Sequence, residues 1–356
     1  MRYEVFAIRP ILSRMSGGMS PILKNSGTHT EQSIIERIRS AARPTSSTRS
    51  PESALVKGIG DDAALWRPRP AYETILTCDW FLQGTHFLPD RHSPEMVAHK
   101  SLARAISDIT AMGGEPRCFL LSLALPAART GAWLGKFLSA LRAAARTTHC
   151  LLAGGDTTQR NEILINITVV GECERGRAIL RSGAQPGDAI FVTGTLGEAE
   201  YGLELLRISS APINPRDPRL RKHLFPQPRV AAGQWLAKHR LATAMMDLSD
   251  GLSSDLPKLC QASRVGARII QRNLPSVKIA KNHRKKFDAA ELALHGGDDY
   301  ELLFTVAKKN VARIPARIGR VRLTQIGEIT SGKQIMLVHE SGAVTKLASK
   351  GWDPFR

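Results

Sequence analysis

Along this chain the spacing of apolar residues switches repeatedly between the helical period of three to four and the strand period of two. Ile34, Ile35 and Ile38 recur at helical intervals, and Thr28 and Glu31 before them have capping-box spacing, which predicts an amphipathic helix over about 30–42. A polar linker, RPTSSTRSPES, leads to a GDD turn and then to the strand-like ETILTCDWF. Ser93-Pro94 announces a long helix with Ser as N-cap and Pro in the first turn; Met96, Val97, Leu102, Ile106 and Ile109 form its apolar face, and Gly113-Gly114 ends it. Arg104 and Asp108, four apart, share a face of that helix.

FLLSLALP then reads as a buried strand, residues 130–147 as a helix with Trp133, Phe137 and Leu141 on one side, and LLAGGDTT as a strand ending in a glycine turn. ILINITVVGEC and DAIFVTG are further strands. The proline-rich, polar segment 209–229 reads as an inter-domain passage. Beyond it come a helix at 229–239, a strand at ATAMMD, a helix from Ser249, a strand at ARIIQ, a helix near 289–295, a strand at YELLFTV and a hairpin over 323–340. Such alternation predicts an α/β protein of two mixed domains, and 356 residues suffice for two separate cores.

Composition changes this picture little, because 42% hydrophobic and 23% charged residues are ordinary for a globular protein. The five cysteines are too scattered for a zinc knuckle, a CxxC redox pair or a secreted disulfide framework, which points to a reducing cytoplasm. No apolar run reaches the ~20 residues of a membrane span, so no membrane role is expected. Residues 1–29 carry Glu4 and no apolar stretch of signal-peptide length, and they read as a flexible extension or a start assigned too early. The formal charge of +18 raises the alternative of a basic nucleic-acid-binding protein. Against it, the charge is dispersed, aromatics are few and no recognition motif is present, so no nucleic acid is expected as partner.

Against that basic background the aspartates gather. Nine of the 15 fall in six short segments: GIGDDAAL, LTCDWF, ISDITAMGG, AGGDTT, MDLSDGL and GGDDYEL. A single aspartate in a turn is usually an Asx-turn or helix cap. Six acidic segments converging through the fold would instead need cations, and Mg2+, which takes carboxylates, waters and substrate phosphates, is the economical choice. In AGGDTT glycine amides stand beside a carboxylate, and in DLSDG Ser249 and Asp250 occupy a strand-to-helix junction whose amides could face phosphate. GEITSGKQ (327–334) satisfies part of a P-loop, but Gln334 replaces the metal-holding Ser or Thr and no helix is expected to follow, so it is rejected.

In this order GIGDDAAL, TCDWFLQGTHFLPD, KSLARAISDITAMGGEP, LLAGGDTT, RSGAQPGD, MDLSDGLSSDL and GGDDYELLFTV resemble the thiamine-monophosphate kinase family of the aminoimidazole ribonucleotide synthetase-like superfamily. The resemblance implies ATP-dependent phosphorylation of thiamine monophosphate to thiamine diphosphate, assisted by several Mg2+ ions. It implies a metal shell of Asp62, Thr77, Asp79, Asp108, Asp156, Asp247 and Asp250, of which Asp62, Asp108, Asp156 and Asp250 are its catalytic members. Cys78, where the family usually has Thr, would also join that shell; if the position ligates through its backbone carbonyl little changes, whereas a side-chain role would be lost. ATP would meet Gly155, Asp156, Arg181 and Ser249. The thiamine-phosphate side would fall to His86, to Asp298, where Glu is common, and to Trp352, whose ring could face a cationic thiazolium. The resemblance also implies an N-terminal ATP- and metal-binding domain over 30–180 whose sheet pairs in a homodimer, and a C-terminal domain over 181–356 that completes the active site. The alternative within the superfamily is a selenophosphate or aminoimidazole ribonucleotide synthetase-like activity. The loop before GIGDD lacks the reactive cysteine that a selenophosphate synthetase needs.

Overall fold

A computed structural model describes residues 30–42 and 54–355, so the readings of residues 1–29 and of the linker up to 53 lie outside the described residues. Helix α1 (Glu31–Ala42) opens the fold. Its first turn is tied by Ser33, whose amide donates to the Thr30 hydroxyl at 3.3 Å and whose hydroxyl donates to the Thr30 carbonyl at 2.8 Å. Thr30 therefore does the work expected of Thr28, which is not among the described residues.

Strands β1 (Leu55–Lys57) and β2 (Leu65–Trp66) flank the GDD turn and pair antiparallel. The first sheet is built from β3 (Tyr72–Leu82), β4 (Glu115–Leu125), β5 (Leu151–Gln159) and β6 (Leu164–Glu174), in the order β3-β6-β4-β5. Helices α2 (Pro94–Ala111) and α3 (Ala132–Thr147) lie between the N-terminal strands and pack on one another. Ser93 caps α2 as expected, accepting from the Met96 amide, with Pro94 at the first position. Alternation along β3 sends Ile75, Thr77, Asp79 and Phe81 towards α2 and leaves Leu76, Cys78 and Trp80 on the outer face.

The glycine turn expected at LLAGGDTT is absent: β5 continues through it, paired parallel with β4, with a shift of register between Leu152 and Gly154. Gly155 sits at φ 151°, and a Cβ there would stand 1.8 Å from the Leu121 carbonyl oxygen, so the glycine is required by the approach of the neighbouring strand.

The second unit contains β7 (Ala189–Thr193), α4 (Glu198–Ile208), α5 (Arg221–Leu224), α6 (Val230–His239), β8 (Ala242–Leu248), α7 (Leu252–Ser263), β9 (Gly266–Ile270), α8 (Ala289–His295), β10 (Glu301–Val306), β11 (Arg317–Ile318), β12 (Val321–Thr330), β13 (Ile335–Val338) and β14 (Val344–Lys346). Its sheet runs β14-β13-β9-β12-β7-β10-β8, with β11 added beside β12. Every residue of β7 and β10 is buried, because apolar clusters cover both faces: Leu252, Leu256 and Leu294 on one side, Ala232, Leu236 and Leu241 on the other.

Two expectations change here. The hairpin over 323–340 does not form, since β9 lies between β12 and β13, antiparallel to the first and parallel to the second. Segment 209–229 is not an inter-domain passage: it lies between α4 and α6 and carries α5, which packs on α4. The two sheets instead meet where α2, buried along most of its length, touches β3 and β6 on one side and β8 and α6 on the other.

Candidate active site

Helix α2 brings the acidic segments together. Asp108, on its last turns, accepts from the Thr77 hydroxyl of β3, and Ser107 donates to Asp247 at the end of β8 at 2.7 Å, bridging the two sheets. Asp79 stands on the same face of β3 as Thr77, and Asp250 follows β8 in the loop to α7.

The charges of this group oppose one another. Burial raises the proton affinity of Asp79, and Asp108 and Asp250 raise it further against the pull of Arg104. Burial likewise raises Asp108, with the Thr77 hydroxyl, Arg181 and Arg104 opposing. Asp247, fully enclosed, is pushed well above the carboxylate range by burial and then by Asp108, against the Ser107 hydroxyl. Such a group holds protons or cations.

Among the described residues no three His, Cys, Asp or Glu side chains form a ready metal cage. The donor set nevertheless fits Mg2+, which usually takes one or two carboxylates from the protein and completes its octahedron with water and substrate phosphate. Thr77, Asp79, Asp108, Asp247 and Asp250 would hold it.

Not every expected ligand lies here. Asp62 and Asp156 are exposed. The Asp62 amide donates to Asp61 at 3.2 Å and Lys57 pairs with Asp61 at 3.3 Å, so Asp61 serves the turn itself. Asp156 accepts from the Thr157 amide at 2.8 Å. Gly155 and Asp156 lie on β5, the edge of the first sheet opposite β3, so three inter-strand spacings, about 14 Å, separate them from Asp79. Cys78 turns its thiol to the outer face, 3.1 Å from the Asn166 amide nitrogen, so only its backbone could serve a site shared with Thr77 and Asp79. Helix α7 starts at Leu252, and the Ser249 and Asp250 amides donate to Asp255 at 3.0 and 2.9 Å instead of facing a ligand. Arg181 is exposed, near enough to Asp108 to lower its proton affinity.

A cleft of about 1530 Å³ opens beside the acidic group, lined by Asp79, His86, Arg104, Ser249, Asp250, Asp298 and Trp352 among others. The Leu82 amide donates to His86 Nδ1 at 2.9 Å, and burial followed by Arg104 lowers the imidazole to about 4, so it is neutral and presents Nε2–H. Asp298, in the left-handed region at φ 64°, accepts from Lys100 Nζ at 2.7 Å and from the Tyr300 hydroxyl at 2.6 Å. Burial works against its charge, but Lys100, Arg104 and His223 hold it ionised well below the usual carboxylate range. Its neighbour Asp299 turns away and caps α4 through the Ala199 amide at 3.1 Å. Trp352 is half exposed, and its amide donates to the Asp250 carbonyl at 3.0 Å, seating the C-terminal segment on the DLSDG loop.

Sequence reasoning missed Lys100 and Tyr300. Lys100, Arg104 and Asp108 recur every four residues along α2, a spacing that places all three on the site-facing side.

The family models for AIR synthase related proteins match this chain twice, the N-terminal domain over residues 60–173 and the C-terminal domain over 185–340. Thiamine-monophosphate kinase of Escherichia coli K12 is 38% identical over 318 residues, covering 88% of this chain and 96% of the relative. The crystal structure of thiamine-monophosphate kinase from Stenotrophomonas maltophilia superposes with a TM-score of 0.73 at 34% identity, covering 85% of this chain and 95% of that one. AaThiL, solved in complex with AMPPCP and TMP, superposes with a TM-score of 0.71 at 32% identity, covering 91% and 97%. With its acidic segments in order on this two-domain frame, the chain belongs to the thiamine-monophosphate kinase family of AIR synthase related proteins.

Proposed function

We propose that this protein transfers the γ-phosphoryl group of ATP to the phosphate of thiamine monophosphate, giving thiamine diphosphate and ADP. The observation that carries the reading is the meeting of Thr77, Asp79 and Asp108 with Asp247 and Asp250 beside the inter-domain cleft, whose wall includes Asp79 and Asp250. The relative AaThiL, solved with AMPPCP and TMP, supports this pair of substrates.

The acceptor oxygen of a phosphomonoester is already anionic, so no general base is needed, and the barrier lies in bringing two polyanions into line. Thr77, Asp79, Asp108, Asp247 and Asp250 would hold Mg2+, which would supply positive charge against the repulsion between the two phosphates. Asp79 and Asp247 hold their carboxylates on two sheets, Asp108 on the helix that joins them and Asp250 in the loop after β8, so their spacing is set largely by the rigid parts of the fold. Asp62, Gly155, Asp156 and Arg181 serve the nucleotide. Ser249 also faces the nucleotide, by its side chain, since its amide is taken. Neutral His86, ionised Asp298 and the Trp352 ring bind the thiamine end.

A homodimer formed through the first sheet fits the outer face of that sheet, where Leu76 is 69% and Trp80 55% exposed beside Leu120. Cytoplasmic residence fits the five unpaired cysteines. No helix among the described residues is long and apolar enough to cross a membrane.

Product analysis tests the reading: purified protein is given ATP, Mg2+ and thiamine monophosphate, and thiamine diphosphate is read as its fluorescent thiochrome. Product that requires all three and disappears with chelator is expected. ATP turnover only with a different acceptor would move the activity to another member of the superfamily.

A further inference from the structure

We infer that Arg104 binds the acceptor phosphate, the phosphomonoester of thiamine monophosphate, and so separates this substrate from unphosphorylated thiamine. The inference deepens the kinase reading and rests on it. Arg104 projects from α2 into the cleft between Asp79 and Asp298, with 16% of its side chain exposed. Its two ion pairs are long, 3.7 Å from Nε to Asp79 and 3.9 Å from Nη1 to Asp298, beyond hydrogen-bond reach. Its Nε is buried and has no hydrogen-bond partner.

Arg229 shows what a structural arginine does in this fold. It closes a two-pronged pair on buried Glu301, with bonds of 2.6 and 2.5 Å. Asp298, by contrast, already accepts from Lys100 and Tyr300 and does not take up Arg104. A guanidinium largely withdrawn from water, with its Nε unpaired and two carboxylates only at ion-pair range, is costly unless a ligand brings closer acceptors. A phosphate dianion offers three oxygens in the geometry that this fork matches. The position favours the acceptor over the nucleotide, because Arg104 stands against Asp298, which is read as part of the thiamine side, and not against Gly155 or Asp156.

The test is calorimetric titration of the full chain with thiamine monophosphate and with thiamine, for wild type, Arg104→Met and Arg104→Lys, together with the KM for ATP. Arg104→Met is expected to weaken thiamine monophosphate binding about 10- to 100-fold while thiamine affinity and the ATP KM change by about two-fold or less. Arg104→Lys keeps a charge between Asp79 and Asp298, which guards against simple misfolding, and is expected to lose part of the discrimination because it lacks the planar fork. Equal weakening of both ligands, or unchanged discrimination in both variants of an active kinase, overturns this inference alone. A wild type that forms no thiamine diphosphate overturns the kinase reading and this inference with it.

Discussion

The two edges of the first sheet carry the same kind of side chain into opposite surroundings. On the β3 edge, Asp79 stands beside Asp108 and faces the second sheet; burial pushes both carboxylates towards protonation, Asp79 further through Asp108 and Asp250, while Thr77, Arg181 and Arg104 oppose it at Asp108. On the β5 edge, Asp156 and the nearby turn with Asp62 lie in solvent. Asp156 also shares a cross-strand row with Ser122, Asn166 and Trp80, which places it on the outer face, away from Asp79. On the proposed reading, the β3 edge would be a preformed half-site held together at a cost, and the β5 edge a set of ligands that a bound nucleotide would recruit.

That difference can be broken most sharply at Asp108. Replacement by Asn keeps the shape and the Thr77 contact but removes a charge that burial disfavours, so kcat/KM is expected to fall ~1,000-fold or more while the melting temperature holds or rises. Steady-state kinetics beside calorimetric melting checks both; a lower melting temperature with normal activity would mean that Asp108 is structural. Asp156→Asn acts on the open half, and a smaller loss of about 10- to 100-fold is expected, partly recovered as Mg2+ is raised, with the melting temperature unchanged. Trp352→Ala should raise the KM for thiamine monophosphate about 10-fold and leave the ATP KM alone; equal shifts in both would make Trp352 only a packing anchor of the C-terminal segment.

The smallest effect concerns pH. Burial lowers His86 and His92 to about 4, against an ordinary value near 6.5, so the unfolded chain takes up these protons first. Their contribution to stability is complete above about pH 6.5 and is lost as pH falls through the window to about 4. Melting temperatures measured across that window should drop, and the drop should be shallower in His92→Gln.

The same contrast explains what could be read from the chain alone. Regular periodicity placed α2 and β3, and the four-residue spacing of Arg104 and Asp108 survived into the structure because a helix interior leaves no freedom. Partners distant in sequence were invisible. Asp299 caps α4 from about 100 residues away, so neither the helix nor the structural role of that aspartate has a local signal. Asp255 takes the amides expected to face phosphate, and nothing in DLSDG marks that choice. Strand β9 enters between β12 and β13, which adjacent apolar runs mimic as a hairpin. At LLAGGDTT, glycines that suggest a turn serve the close approach of β4. Local pattern found the elements; pairing across the sheet decided which aspartates meet.

The most direct measurement of the central claim is Mn2+ binding followed by electron paramagnetic resonance, with and without a non-hydrolysable ATP analogue, for wild type, Asp247→Asn and Asp108→Asn. Binding that tightens with nucleotide in wild type and weakens in both variants is predicted, since the inner carboxylates and the phosphates would share the coordination sphere. Equal Mn2+ affinity in all three proteins, with or without nucleotide, would contradict the assignment of the buried acidic group as the metal site.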